Sequence, residues 1–209
     1  GSRVRAMPVP DIVVGRLPLY LRALSQMLQE GKTITSSQEL GERLGISSAQ
    51  IRKDLSQFGE FGKQGTGYSV TYLTEQLRLI LKVDRLWDVA LVGVGDLGRA
   101  VANYAGFLHR GFRIAAMFDN DPAKIGKQVG PFVIEDSAGL VEQVRRKGIR
   151  VAMLAVPAAA AQDVTDRLVE AGIHAILCYA PTSIAVPDRV KVQYIDPVLH
   201  LQRMTYHLT

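Results

Sequence analysis

Three glycines and one aspartate stand where a phosphate-bearing ligand could be held. Gly93-Val94-Gly95-Asp96-Leu97-Gly98 reads G-x-G-x-x-G, and Asp119 follows 21 residues after the last glycine. In this pattern the first glycine allows a tight turn. The second lets the backbone approach a pyrophosphate, and the third lets a helix pack close to a strand. A helix N-terminus offers unpaired N–H groups and a positive dipole end to phosphate. A carboxylate at the end of the next strand can accept hydrogen bonds from both hydroxyls of a ribose. The flanking sequence supplies those elements: Val89 to Val92 is a short apolar run suited to a buried strand, and Ile114 to Phe118 is another, ending in Asp119. The chemistry is dinucleotide binding. Asn120, Lys124 and Ile125, in the turn that follows, are candidates to line the adenosine end. Val156-Pro157 ends a later strand and falls on the same side of the sheet. With Phe107, these apolar groups are candidates for the end of the ligand away from the adenosine, where they would disfavour a charged ring by desolvation.

A second constellation sits earlier. At about 100° per residue, Ile51, Leu55 and Phe58 share one helix face. Lys53 and Ser56 fall opposite, with Arg52 flanking them, and Ser47, Ser48 and Gln50 stand at the N-terminal end. A small, polar, basic face suits a DNA major groove. The segment 59–70 is glycine-rich and then alternates, as a hairpin wing does, with Lys63, Gln64 and Gly65 near its tip and Phe61 and Tyr68 anchoring its base.

The elements that must position these residues follow from periodicity. Leu17, Tyr20, Leu21, Leu24 and Leu28 recur at helical spacing within 8–30, with a kink or late start expected at Pro18. Ser36 with Glu39, and Ser47 with Gln50, have capping-box spacing before helices of about 36–44 and 47–58. The Gly45 turn between them makes a helix-turn-helix. A fourth helix is expected over 74–83. After it, strands and helices alternate as in a mostly parallel sheet. The fold class is therefore α/β, an N-terminal winged helix-turn-helix followed by a Rossmann dinucleotide-binding domain. We divide the chain into 1–84 for DNA binding, 85–195 for NAD(H) binding, and a terminal helix, 196–209.

Composition agrees. Net charge is +5 over 209 residues, and residues 1–85 hold 12 Lys and Arg against 8 Asp and Glu. No apolar stretch approaches the ~20 residues needed to span a bilayer, and GSRVRAMPVP lacks the apolar run of a secretion signal. The single cysteine, Cys178, cannot pair within the chain. A cytoplasmic location without membrane contact is expected. Cys178 in an apolar strand reads as packing rather than as a thiol sensor.

IRKDLSQFGEFGKQGTGYSV (51–70), VGVGDLGRAVANYAGF (92–107) and FDNDPAKIG (118–126) together resemble the Rex family of bacterial redox-sensing repressors. The resemblance covers the chain from Pro10 to the terminal helix. It implies a homodimer with two winged-helix heads and a terminal helix exchanged between subunits. It implies binding to palindromic double-stranded operator DNA when NADH is scarce, and release when NADH binds. It implies that Arg52, Lys53 and Ser56 belong to the recognition helix. It further implies that Tyr104 and Asp196, joined by Arg22, report the state of the ligand. Gln64 and Pro197 depart from residues common in the family.

Two other readings fit the Rossmann part. An NAD-dependent oxidoreductase needs an acid or base near the nicotinamide, and none of His109, His174, His200 and His207 follows a strand end in the expected position. A coenzyme-A-binding module shares the fold, but its ribose phosphate would be repelled by Asp119. The same repulsion favours NAD(H) over its 2′-phosphorylated form. The sequence is read as a regulator, not an enzyme.

Overall fold

The structure, a computed structural model, describes residues 8–63 and 66–209; of Lys63 only the backbone is described. Two compact units meet in sequence between Arg85 and Leu86.

The first unit contains α1 (Asp11–Gln29), β1 (Ile34–Thr35), α2 (Ser37–Leu44), α3 (Ser48–Ser56), β2 (Gly62–Lys63), β3 (Gly67–Ser69) and α4 (Val70–Ile80). Its core is the apolar stripe of α1, where Leu17, Tyr20, Leu24 and Met27 are fully buried against Leu40, Ile51, Leu73 and Leu77. Leu28, expected in that stripe, is exposed. The helix runs without interruption through Pro18, so a late start there is not observed. Buried Leu17 and Tyr20 flank the proline and hold the helix across the one backbone bond it removes. Ser36 accepts a hydrogen bond from the Glu39 N–H (3.1 Å) and Ser47 from the Gln50 N–H (3.2 Å), which fixes where α2 and α3 begin. The wing pairs Gly62 with Tyr68 and Lys63 with Gly67, and Phe61 and Tyr68 pack on the core as expected. Two features differ from the sequence reading. Ile34–Thr35 adds a third strand, in the order β1-β3-β2. α4 starts at Val70, four residues early, because Ser69 accepts from the Tyr72 N–H (3.3 Å) and caps it there.

The second unit contains β4 (Trp87–Val92), α5 (Asp96–Ala102), β5 (Phe112–Asp119), β6 (Gln128–Val129), β7 (Phe132–Asp136), α6 (Leu140–Lys147), β8 (Val151–Leu154), α7 (Ala158–Glu170), β9 (Ala175–Cys178), β10 (Lys191–Tyr194) and α8 (Pro197–Thr205). One sheet runs β10-β9-β8-β4-β5-β7-β6, parallel except for β6 against β7. The central strand β4 is buried on both faces. Ala90 and Val92 join a core under α6 and α7, while Val89 and Leu91 join a second core under α5. α8 has no buried residue; Val198, Leu201 and Met204 are 54%, 57% and 64% exposed.

Candidate functional site

The strand order reverses at β4, which pairs in parallel with β5 on one side and with β8 on the other. A cleft opens outside the strand ends at such a switch point. Here it has a volume of about 560 Å³. Gly93, Val94, Gly95, Asp119, Asn120, Lys124, Val156 and Pro157 all line it.

The three glycines differ in what surrounds them. Gly93 has φ +96°, and a Cβ there would lie 2.5 Å from the Ala155 carbonyl oxygen. A Cβ at Gly98 would lie 2.2 Å from the Gly93 carbonyl oxygen. Those two positions are closed by the fold itself. At Gly95 a Cβ would meet nothing within 4 Å, and Gly95 lines the cleft. Its missing side chain therefore leaves room for a ligand, not for the protein. Asp96, Leu97 and Gly98, in the first turn of α5, have no intrahelical partner for their N–H groups. A pyrophosphate fits this donor set and this opening.

Asp119 is 8% exposed at the end of β5. Its Oδ2 accepts from the Val94 N–H (2.8 Å) and its Oδ1 from the Asp121 N–H (2.9 Å). The Lys124 ammonium lies 3.9 Å from Oδ2. The carboxylate thus braces the glycine loop. An ionised carboxylate has about four acceptor sites, so capacity remains for ribose hydroxyls.

Not every expected residue reaches the cleft wall. Asp96 and Leu97 are exposed, and Ile125 is half-buried outside it. Phe107, expected at the nicotinamide end, is placed elsewhere in this chain. It stands edge-on to Tyr104 with ring centroids 4.8 Å apart. It lines a separate apolar groove of about 340 Å³ with Phe112, Val151 and Leu177. Tyr104 is half exposed. Asp196 caps α8, accepting from the Val198 N–H (3.0 Å). Arg22 is exposed on α1, in the first unit. The cleft also has walls that the sequence reading missed: Ser137, Ala160, Val164 and Arg167. The Arg167 guanidinium donates to the Ser137 carbonyl. Positions 160, 164 and 167 share a helix face directly after Pro157, and that spacing was the available signal.

On α3, Arg52, Lys53 and Ser56 are exposed together. Arg52 donates to the Ser37 hydroxyl (3.1 Å), and the Ser56 hydroxyl donates to the Lys53 carbonyl (2.8 Å). Ser47 is exposed at the cap and Ser48 half-buried behind it. Gln50, expected to face DNA, is half-buried and donates to Asp54 (2.7 Å), so the structure ties it to the interior. Asp54 was not singled out by the sequence reading and is fully buried. Burial alone would raise its pKa, but hydrogen bonds from Arg16, Tyr20 and Gln50 outweigh that and hold it below the usual carboxylate range. The Lys63 side chain, Gln64 and Gly65 lie outside the described residues. Among those residues no cluster of His, Cys, Asp and Glu could hold a metal ion, and no helix is long and apolar enough to cross a membrane.

Residues 8–56 match a family described as putative DNA-binding protein N-terminus, and residues 84–182 match one described as CoA binding domain. The chain is 55% identical to the redox-sensing transcriptional repressor Rex of Roseiflexus sp. (strain RS-1), over 95% of this chain and 90% of that protein. It is 48% identical to the protein of the same name from Brevibacillus brevis, over 96% and 97%. Among solved structures it is similar to RSP, a Rex-family repressor. RSP in complex with β-NAD+ and operator DNA matches with 36% identity and a TM-score of 0.92, over 97% of this chain and 93% of that one. RSP in complex with β-NADH matches with 34% identity and a TM-score of 0.87, over 96% and 94%. These relatives are named as transcriptional regulators, not as enzymes.

Proposed function

This chain belongs to the Rex family of redox-sensing transcriptional repressors, and we propose that it reads the NADH/NAD+ balance in the β4–β5–β8 cleft and reports it through operator DNA held by α3 and the wing. The observation that carries the nucleotide assignment is the open position at Gly95, in a cleft whose other wall holds the buried Asp119. The glycine loop and the first turn of α5 take the pyrophosphate, and Asp119 takes the adenosine ribose. Asn120 and Lys124 flank that ribose. A 2′-phosphate or coenzyme A's ribose phosphate would meet the Asp119 carboxylate and be repelled.

NADH and NAD+ share every atom that the glycine loop and Asp119 hold. Discrimination therefore falls at the nicotinamide end, where Val156 and Pro157 offer apolar surface that disfavours the oxidised cation. Sensing NADH against a hundredfold excess of NAD+ requires about 2.7 kcal/mol of preference.

The working unit is a homodimer. In support, α8 presents Val198, Leu201 and Met204 to solvent, and the Phe107–Leu177 groove lies uncovered on the sheet face. Apolar surface of this kind is expected to be covered by a partner. A second copy also supplies the second recognition helix that a palindromic operator needs, at a spacing of ~34–36 Å. NADH must bind better to a dimer state that misses this spacing, or DNA release is unexplained. Tyr104, Asp196 and Arg22 are the residues through which we expect occupancy to be reported. The site of action is the cytoplasm, where NADH and the chromosome meet.

Fluorescence anisotropy of a labelled palindromic duplex, titrated with NADH at fixed NAD+, tests the proposal. Release at saturating NADH is expected. Operator affinity that stays constant across the titration refutes it.

A further inference from the structure

The recognition helix carries a carboxylate with no exposure to solvent. Both oxygens of Asp54 are fully used. Its Oδ2 accepts from Arg16 Nε (2.6 Å) and the Tyr20 hydroxyl (2.5 Å). Its Oδ1 accepts from Arg16 Nη2 (2.9 Å) and Gln50 Nε2 (2.7 Å). Arg16 and Tyr20 are one turn apart on α1, and the arginine engages the carboxylate as a two-pronged fork.

Such a cluster is a poor choice for stability alone. Burying an ion costs several kcal/mol, and replacing buried ion pairs with apolar residues of similar volume is often neutral or stabilising. What hydrogen bonds supply, and apolar contacts do not, is direction. α3 has only nine residues, and among its apolar side chains Ile51 and Leu55 are the buried ones. Both permit some roll of the helix about its axis. A roll of ~20° moves a point on the helix surface, ~5–6 Å from the axis, by ~2 Å. That exceeds the distance window of a hydrogen bond to a base edge or phosphate. The three bonds from α1 to Asp54 resist such a roll, while the fourth, from Gln50, lies within α3 and steadies the carboxylate, and Arg52 and Lys53 are the residues immediately before it.

We propose that Asp54 is a positioning residue for DNA recognition: clamped to α1 by Arg16 and Tyr20, it sets the roll of α3 and so the place where Arg52, Lys53 and Ser56 meet the duplex. This rests on the reading of α3 as the helix that meets DNA. Gln50 belongs to the clamp rather than to the DNA-facing set.

The test uses the full chain and two duplexes of equal length. One is selected from random-sequence DNA by the wild-type protein, and the other is its scrambled version. If the wild type selects no sequence, the reading of α3 is wrong and the proposal falls with it. Two variants are then compared, Asp54→Asn and the apolar set Arg16→Met/Tyr20→Phe/Asp54→Leu. Circular dichroism melting establishes that each is folded, and unchanged NADH affinity that the second unit is undisturbed. Expected is a fall of at least ~10-fold in the ratio of selected to scrambled affinity, about 1.4 kcal/mol, with scrambled binding and its salt dependence retained. A folded variant with the wild-type ratio overturns the proposal. So does a loss that strikes both duplexes equally and tracks the melting curve, since that is what a merely structural role gives. If the apolar set fails to fold, Asp54→Asn, read below its melting temperature, decides by the same ratio.

Discussion

Asp119 braces the glycine loop and, in the function proposed above, holds the adenosine ribose, and substitution can separate the two roles. In the structure it accepts from the N–H groups of Val94 and Asp121. Val94 is fully buried, so alanine at 119 leaves an unpaired buried donor, at a cost of ~1–3 kcal/mol to the second unit. Asparagine keeps one carbonyl oxygen, which can still meet Val94, but its amide cannot accept from Asp121. It therefore disturbs the loop less while removing the charge. On the ligand side, a hydrogen bond to a charged acceptor is worth ~1.5–3 kcal/mol. Each ribose hydroxyl that loses the carboxylate should weaken binding roughly 10- to 150-fold. Asp119→Asn should thus weaken NADH and NAD+ alike, because both carry the same ribose. Isothermal titration calorimetry with each nucleotide measures this. Anisotropy on operator DNA should show unchanged affinity without nucleotide and release at correspondingly higher NADH. NADH affinity within about threefold of wild type would falsify the ribose role and leave Asp119 as a loop brace alone. Loss of nucleotide-free operator binding would instead show that the brace governs the whole chain.

The same substitution at the three glycines should give two different results. Gly95→Ala should fold with stability within ~0.5 kcal/mol of wild type yet lose NADH binding, whereas Gly93→Ala and Gly98→Ala should lower the melting temperature, because their Cβ atoms would strike the Ala155 and Gly93 carbonyls. Equal melting shifts for all three would refute the distinction. Lys53→Ala should weaken operator binding by ~1–3 kcal/mol and leave NADH affinity alone, as read by anisotropy and calorimetry. Leu201→Glu/Met204→Glu should shift the protein toward monomer in sedimentation; an unchanged dimer would place the contact elsewhere. Cys178 is buried and its thiol pKa is raised by that burial, so it should resist iodoacetamide at pH 8 until the chain unfolds, and peroxide should leave operator binding unchanged. Rapid alkylation of the folded chain would revive a thiol-based sensor.

What could be read directly from residue order was what depends on neighbours in sequence. Ser36, Ser47 and Gly45 punctuate α2 and α3 through bonds that close within a few residues. The run 89–92 alternates between two cores because a strand has two faces, and 114–118 does so except at a register shift that puts Ala115 and Ala116 on the same core. Gly93, Gly95, Gly98 and Asp119 announce the cleft because their spacing matches one strand-turn-helix-strand unit. Local chemistry also misled. Ser69 lies within the segment whose pattern reads as the wing, yet it starts α4 by capping it. Ile34–Thr35 is too short to show a period and becomes a strand only when β3 arrives beside it, 34 with 69 and 35 with 68.

The tertiary structure decided the remainder, and the reason is distance along the chain. Ser137 and Arg167 wall the cleft because a hydrogen bond joins positions 30 apart. Phe107 follows the glycine helix closely in sequence, yet its ring lines the Phe112–Leu177 groove and not the cleft. Asp54 shows the limit most sharply. In the order of residues it is one more charged group on a basic, solvent-facing helix. Only packing brings Arg16, 38 residues away, and Tyr20, 34 residues away, onto its two oxygens. Periodicity reports which face of a helix is apolar, and it carries no information about which polar residue will find a partner buried beside it.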